Sequence, residues 1–114
     1  MTTQMTPLRA GIRGAARANL VRALENHFPF VTSGALRGFI AYGDFSTLGA
    51  LNDEWRATAF ADEGDVAYVV MSYATPIAWV LEDGTVRVVD QKFSVTTTRH
   101  QGFVRAYLFG QDRN

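Results

Sequence analysis

Val66 to Tyr73, VAYVVMSY, is the stretch that most limits what this chain can become. It is apolar at successive positions, so an extended backbone would carry apolar side chains on both faces. Its β-branched and aromatic residues complete the profile of a central strand. PIAWVL (76–81) and TVRVVD (85–90) flank Glu82-Asp83-Gly84, a short glycine-containing hairpin loop. KFSV (92–95) reads as a last short strand, and QGFVRAYLF (101–109) as a closing helix with Phe103, Val104, Tyr107 and Leu108 at helical spacing.

Upstream, Thr6-Pro7 makes a good helix start, because Thr caps free N–H groups and Pro suits the first helical position. A helix is expected from there to about His27, with Leu8, Ile12, Leu20, Leu24 and Phe28 on its apolar face and Pro29 ending it. Gly11 and Gly14 each weaken it by about 1 kcal/mol relative to Ala. Residues 30–50 give mixed signals, with Leu36 to Tyr42 as a strand. Leu51 to Phe60 forms a short helix, capped by Asn52 or Asp53 and turning Trp55 and Phe60 inward; residues 61–65 are a turn. The class is α+β: an N-terminal helix, an antiparallel meander of about three to five strands and a C-terminal helix. With 114 residues the chain makes one domain, 1–114, flexible over 1–5 and frayed over 110–114.

Composition narrows the chemistry. There is no cysteine, hence no disulfide framework and no thiolate metal site. Only His27 and His100 offer imidazoles, and no metal or cofactor is expected. No apolar run approaches the roughly 18–20 residues of a membrane span, and the N-terminus lacks the apolar centre of a secretory signal. An intracellular protein follows as the expectation. The eleven basic and eleven acidic residues cancel overall but not locally. Residues 1–30 set four arginines against Glu25, and residues 44–65 set six acids against Arg56. On the expected helix Arg9, Arg13 and Arg17 lie four apart, a stripe suited to a solvated face or to phosphates.

FSVTTTRHQ (93–101) poses the main functional question, since hydroxyls near an imidazole suggest a nucleophile and its base. A triad also needs a group orienting the base and an oxyanion hole, and neither Asp90 nor Asp112 is an evident orienter. No G-x-S-x-G elbow, phosphate-binding glycine loop, calcium loop or paired-carboxylate site is present. Thr98 with Gln101 instead fits a capping box opening the last helix. If the Ser72-Tyr73-Ala74-Thr75-Pro76 turn meets this segment at one sheet edge, the two would form a ligand seat. Its residues would be Tyr73, Thr75, Ser94, Thr96, Thr97, Arg99, His100 and Gln101, with helix N–H groups beside them.

Tyr68 to Trp79 (YVVMSYATPIAW) and Phe93 to Gln101 resemble two motifs of a family of small proteins encoded by bacteriophages and other mobile elements. The motifs are Tyr-Val-Val-x-Ser-Tyr-x-Thr-Pro-Ile-Ala-Trp and Tyr/Phe-Ser-x-Thr-Thr-x-x-His-Gln. Met71 stands where Val or Tyr is expected. The resemblance implies a biological setting and no reaction: an accessory protein in the cytoplasm of an infected bacterial host. The function expected is non-enzymatic binding of a host protein or a nucleotide-type small molecule, counter-defence included. The alternatives are a nucleic-acid-binding regulator using Arg9, Arg13 and Arg17, or a virion or assembly component. A homo-oligomer is open, because an exposed edge strand favours a partner.

Overall fold

The computed structural model of the chain describes residues 6–108. The expected flexible ends, the last residue of the closing helix and Asp112 lie outside them. The elements run β1 (Leu8–Arg9), α1 (Ala16–Asn26), β2 (Phe30–Val31), β3 (Leu36–Ile40), α2 (Asp53–Asp62), β4 (Val66–Ser72), β5 (Thr75–Leu81), β6 (Val86–Val88) and α3 (Val95–Tyr107). The class is α+β, with a six-stranded mixed sheet ordered β1-β2-β3-β4-β5-β6. Strands β2 to β6 pair antiparallel in succession, and β1 pairs parallel to β2 through the α1 crossover.

The parallel strand corrects the expected N-terminal helix. Helix α1 starts ten residues later than Thr6, because Gly14 takes a left-handed backbone (φ 64°) and breaks the helical path. The freed segment pairs with the sheet instead: Leu8 N–H donates to Pro29 O (2.9 Å) and Ala10 N–H to Val31 O (2.8 Å). Asn19 Nδ2 clamps it from α1 by donating to Arg9 O (2.9 Å). The arginine stripe therefore does not form, since Arg9 is on a strand, Arg13 in a turn and Arg17 alone on the helix. Arg17 turns to α3, donating to Tyr107 Oη (3.1 Å) with its guanidinium 4.9 Å from the Phe103 ring centroid. Helix α1 ends through left-handed His27 (φ 57°), two residues before Pro29.

Strands β4 and β5 behave as their composition demands, buried on both faces. Leu20, Ala23 and Leu24 of α1, with Val104 and Leu108 of α3, cover one face around Tyr68, Val70, Ala78 and Val80. Tyr68 Oη donates to Phe28 O (2.8 Å) at the end of α1, and burial pushes its phenol pKa far up. The other face packs Val69, Met71 and Trp79 against Phe45, Leu51 and Ala59 from α2 and its preceding loop. Gly49 (φ 49°) lets that loop lie against the β4–β5 turn, where a Cβ would collide with Ala74 O and Thr75 Oγ1.

Helix α2 begins where expected, with Asn52 Oδ1 accepting from Trp55 N–H (2.9 Å). It runs on through Ala61 and Asp62, which were expected in a turn, and Phe60 faces solvent at 66% exposure rather than inward. The extension serves Asp62, which is buried and accepts from Arg87 Nε (2.8 Å), from an Arg87 terminal nitrogen (3.0 Å) and from Trp79 Nε1 (2.8 Å). Arg87, then Trp79, hold the Asp62 carboxyl below its ordinary value against the opposing effect of burial.

Asp62→Asn keeps the shape and removes the charge, and should cost about 2–3 kcal/mol in urea unfolding at neutral pH. The folded pKa lies below the unfolded 3.8, so this stability is present above that pH and is lost as pH falls through the folded value. The gap between wild type and Asp62→Asn should accordingly narrow on acidification below 3.8.

Candidate functional site

The outermost turn of β4 puts a hydroxyl, Ser72, where its neighbours are apolar. Ser72 pairs laterally with Leu36 of β3, and its side chain lies on the face that α3 covers. In α3 the buried positions are Thr97, His100, Gln101 and Val104, a helical stripe turned to the sheet. Ser72 Oγ lies 3.0 Å from Thr97 Oγ1 and 2.8 Å from His100 Nδ1. Their exposures are 1% for Ser72, 5% for Thr97 and 3% for His100. Burial first, and then the positive charge of Arg99, push the imidazole pKa below its usual value. His100 is therefore neutral near pH 7.

The α3 start differs from the expected one. KFSV is not a strand, and Thr98 with Gln101 forms no capping box. Ser94 is the cap, its Oγ accepting from Thr97 N–H (3.3 Å) and donating to Thr97 Oγ1 (3.3 Å). Thr96, Thr97 and Thr98 thus lie inside the first turn. Gln101 reaches away from the helix end and donates to Val89 O (2.7 Å) and Gln91 O (3.1 Å), tying α3 to the chain after β6.

The expected seat is only partly assembled. The two segments do meet, but through Ser72, with Thr97 and His100. Ser94 joins them at one remove. Tyr73 is 61% exposed in a two-residue turn at φ 57°. Thr75 faces the other way, its Oγ1 accepting from Ala50 N–H (2.9 Å). Thr96 and Arg99 are exposed, and Gln101 is committed to backbone carbonyls. Sequence reasoning missed Ser72 as a member of the cluster. The available signal was a lone hydroxyl at the end of an otherwise apolar strand, which burial obliges to find a partner.

It also missed the cleft. His100 lines a concavity of about 390 Å³ together with residues 10–13, 16 and 32–36. Those residues come from the β1–α1 connection, brought to this end of the sheet by the parallel strand, and from the turn of the antiparallel β2–β3 hairpin. Thr32 stiffens the turn, its Oγ1 donating to Leu36 O (2.7 Å) and accepting from Gly34 N–H (3.2 Å). Among the described residues Arg13 is the one charged residue lining the cleft, and no carboxylate lines it.

This geometry is poor for nucleophilic catalysis. Among the described residues no carboxylate orients His100, and Asp90, considered for that role, accepts instead from Trp55 Nε1 (3.1 Å). Ser72, at 1% exposure, is sealed behind the imidazole it bonds. Among the described residues no group of three or more His, Cys, Asp or Glu side chains could hold a metal ion, and no helix is long and apolar enough to cross a membrane.

Removing the bridging hydroxyl with Ser72→Ala should cost about 1–3 kcal/mol, because Thr97 and His100 are left buried with unmet hydrogen bonds. Below the ordinary imidazole value of 6.5 the unfolded chain takes up a proton that the folded chain refuses. Stability should therefore fall as pH drops from 6.5 towards the folded value, at no more than about 1.4 kcal/mol per pH unit from this group. His100→Asn should flatten that part of the profile in pH-dependent chemical denaturation.

Compared with known proteins, residues 36–109 match a family described as a family of unknown function (DUF8033). The match takes in Ser72, Thr97 and His100 and stops short of Arg13 and residues 32–35. No curated protein matches the chain, and no solved structure does.

Proposed function

The chain thus belongs to that family of unknown function, and on this premise we propose that it is a non-enzymatic binding protein. Its working site is the cleft over His100, and its ligand is a nucleotide-type small molecule or a matching group on a host factor. The observation that carries the reading is the pairing of a buried, hydroxyl-anchored imidazole with an open concavity that no carboxylate of the described residues lines. Fixed in orientation by the Ser72 hydroxyl, and with no carboxylate among the described residues to orient it as a base, His100 suits recognition. The motif resemblance adds the setting, a phage-encoded accessory protein acting in the bacterial cytoplasm.

A second reading rests on a different surface. Arg9, Val31 and Arg37 stand side by side across β1, β2 and β3, all three exposed. The Arg37 guanidinium lies 5.5 Å from the Phe39 ring centroid. Among the described residues the one ion pair is Arg87 with Asp62, so these two arginines have no acidic partner. This row replaces the Arg9/Arg13/Arg17 stripe as the surface of a nucleic-acid-binding regulator.

The two readings separate cleanly by experiment. Thermal-shift screening against nucleoside mono- and diphosphates should raise the melting temperature of the wild type, and His100→Ala should abolish the response while remaining folded. A full response retained by that variant would remove the cleft reading. The second reading predicts single-stranded DNA or RNA binding that weakens steeply with salt and is lost in Arg9→Ala/Arg37→Ala. Absence of any shift at low salt would eliminate it.

A further inference from the structure

The direction of the hydrogen bonds behind His100 fixes what the cleft presents to a ligand. Thr97 Oγ1 accepts from the Ser94 hydroxyl at 3.3 Å. Its own proton then has Ser72 Oγ, 3.0 Å away, as acceptor. Ser72, accepting from Thr97, directs its proton to His100 Nδ1 at 2.8 Å. Run in reverse, with Nδ1–H donating to Ser72 and Ser72 to Thr97, the chain would give Thr97 two incoming donors and strand its hydroxyl hydrogen in a buried place. The forward direction places the single imidazole proton on Nε2. A neutral histidine donates from one ring nitrogen only, and the partner of the other decides which one. Among the described residues Nε2 has no hydrogen-bond partner, and the ring lines the cleft.

The rest of the lining points the same way. Arg13 lines the cleft, its guanidinium is a donor that accepts nothing, and no lining residue among the described ones has a carboxylate to neutralise it. A neighbouring concavity of about 190 Å³ shares Ala10, Thr32 and Ser33 with the cleft and adds Arg9. A surface that offers donors and positive charge, with no carboxylate among its described residues, is complementary to anionic oxygen.

We propose that the His100 cleft is an oxyanion receptor, which takes the phosphate or carboxylate group of a small ligand through His100 Nε2–H and the Arg13 guanidinium. Ser94, Thr97 and Ser72 are positioning residues that keep the imidazole in its donating tautomer. The assignment rests on the cleft being the working site and names the part of the ligand that the cleft reads.

The test uses the full chain, uniformly labelled with nitrogen-15, in long-range proton–nitrogen NMR spectra of the imidazoles near neutral pH. The expected pattern for His100 is a protonated Nε2 and a bare Nδ1. Inorganic phosphate and acetate, titrated separately, should move its ring signals saturably, and the tighter of the two tells which oxyanion is preferred. Arg13→Ala should leave the tautomer unchanged and weaken anion binding about tenfold, or about 1.4 kcal/mol. Thr97→Val should let Nδ1–H donate to Ser72, moving the proton off Nε2 and weakening binding to a similar degree. Should Thr97→Val not fold, the wild-type tautomer and Arg13→Ala still decide the matter. A protonated Nδ1 in the wild type, or no saturable response to either anion, overturns the proposal. Uncharged adenosine distinguishes the failures: if it saturates His100 where the anions do not, the cleft remains a binding site for another class of ligand. If adenosine fails as well, the cleft reading falls with the oxyanion assignment.

Discussion

From Tyr68 to Ser72 on β4, and from Thr75 to Val80 on β5, every residue is buried. A strand pair with no solvent face must be covered twice, and the remaining elements are arranged to do that. Helices α1 and α3 cover the side carrying Tyr68, and α2 with its glycine-hinged approach covers the side carrying Trp79. Several polar groups drawn inward with these layers find partners there. The Tyr68 hydroxyl finds Phe28 O, the Trp79 indole finds Asp62, and Asp62 finds Arg87. Ser72 with Thr97 and His100 belongs to the same series. It differs in that its last member also borders open space.

The parts of the fold that were legible in the sequence are those in which local pattern and tertiary demand agree. The β4 and β5 runs, the Glu82-Asp83-Gly84 loop and the Asn52 cap came through because period, turn chemistry and capping all favoured one outcome. The failures have a common cause. Leu8 sits on a good helical stripe, yet its N–H is taken by Pro29 O, a partner 21 residues further along the chain that no local pattern discloses. The threonine run has strand propensity, yet Ser94 capping and the contacts of Thr97, His100 and Gln101 with the sheet hold it helical. Tertiary context outweighed propensities worth a few tenths of a kcal/mol per residue.

The candidate site was half legible for the same reason. The meeting of the SYATP and TTTRHQ segments could be anticipated from strand order. Which hydroxyl would face the imidazole depended on the register shift between Val70 and Met71, which sets the facing of the end of the β4–β5 pair. The opposite wall of the cleft was out of reach, because residues 10–13 arrive there only by virtue of the parallel strand. A segment read as continuous helix cannot be seen as a cleft wall.

That parallel strand has one more effect. Without β1 and β2, the five-residue strand β3 would be the margin of the sheet, its backbone donors and acceptors open to any passing chain. Instead two short strands of two residues each step the sheet down, and Arg9, Val31 and Arg37 set positive charge along the tapered border. A short, cationic margin is a poor template for another strand. The segment that walls the cleft therefore also guards the sheet against self-association through this side.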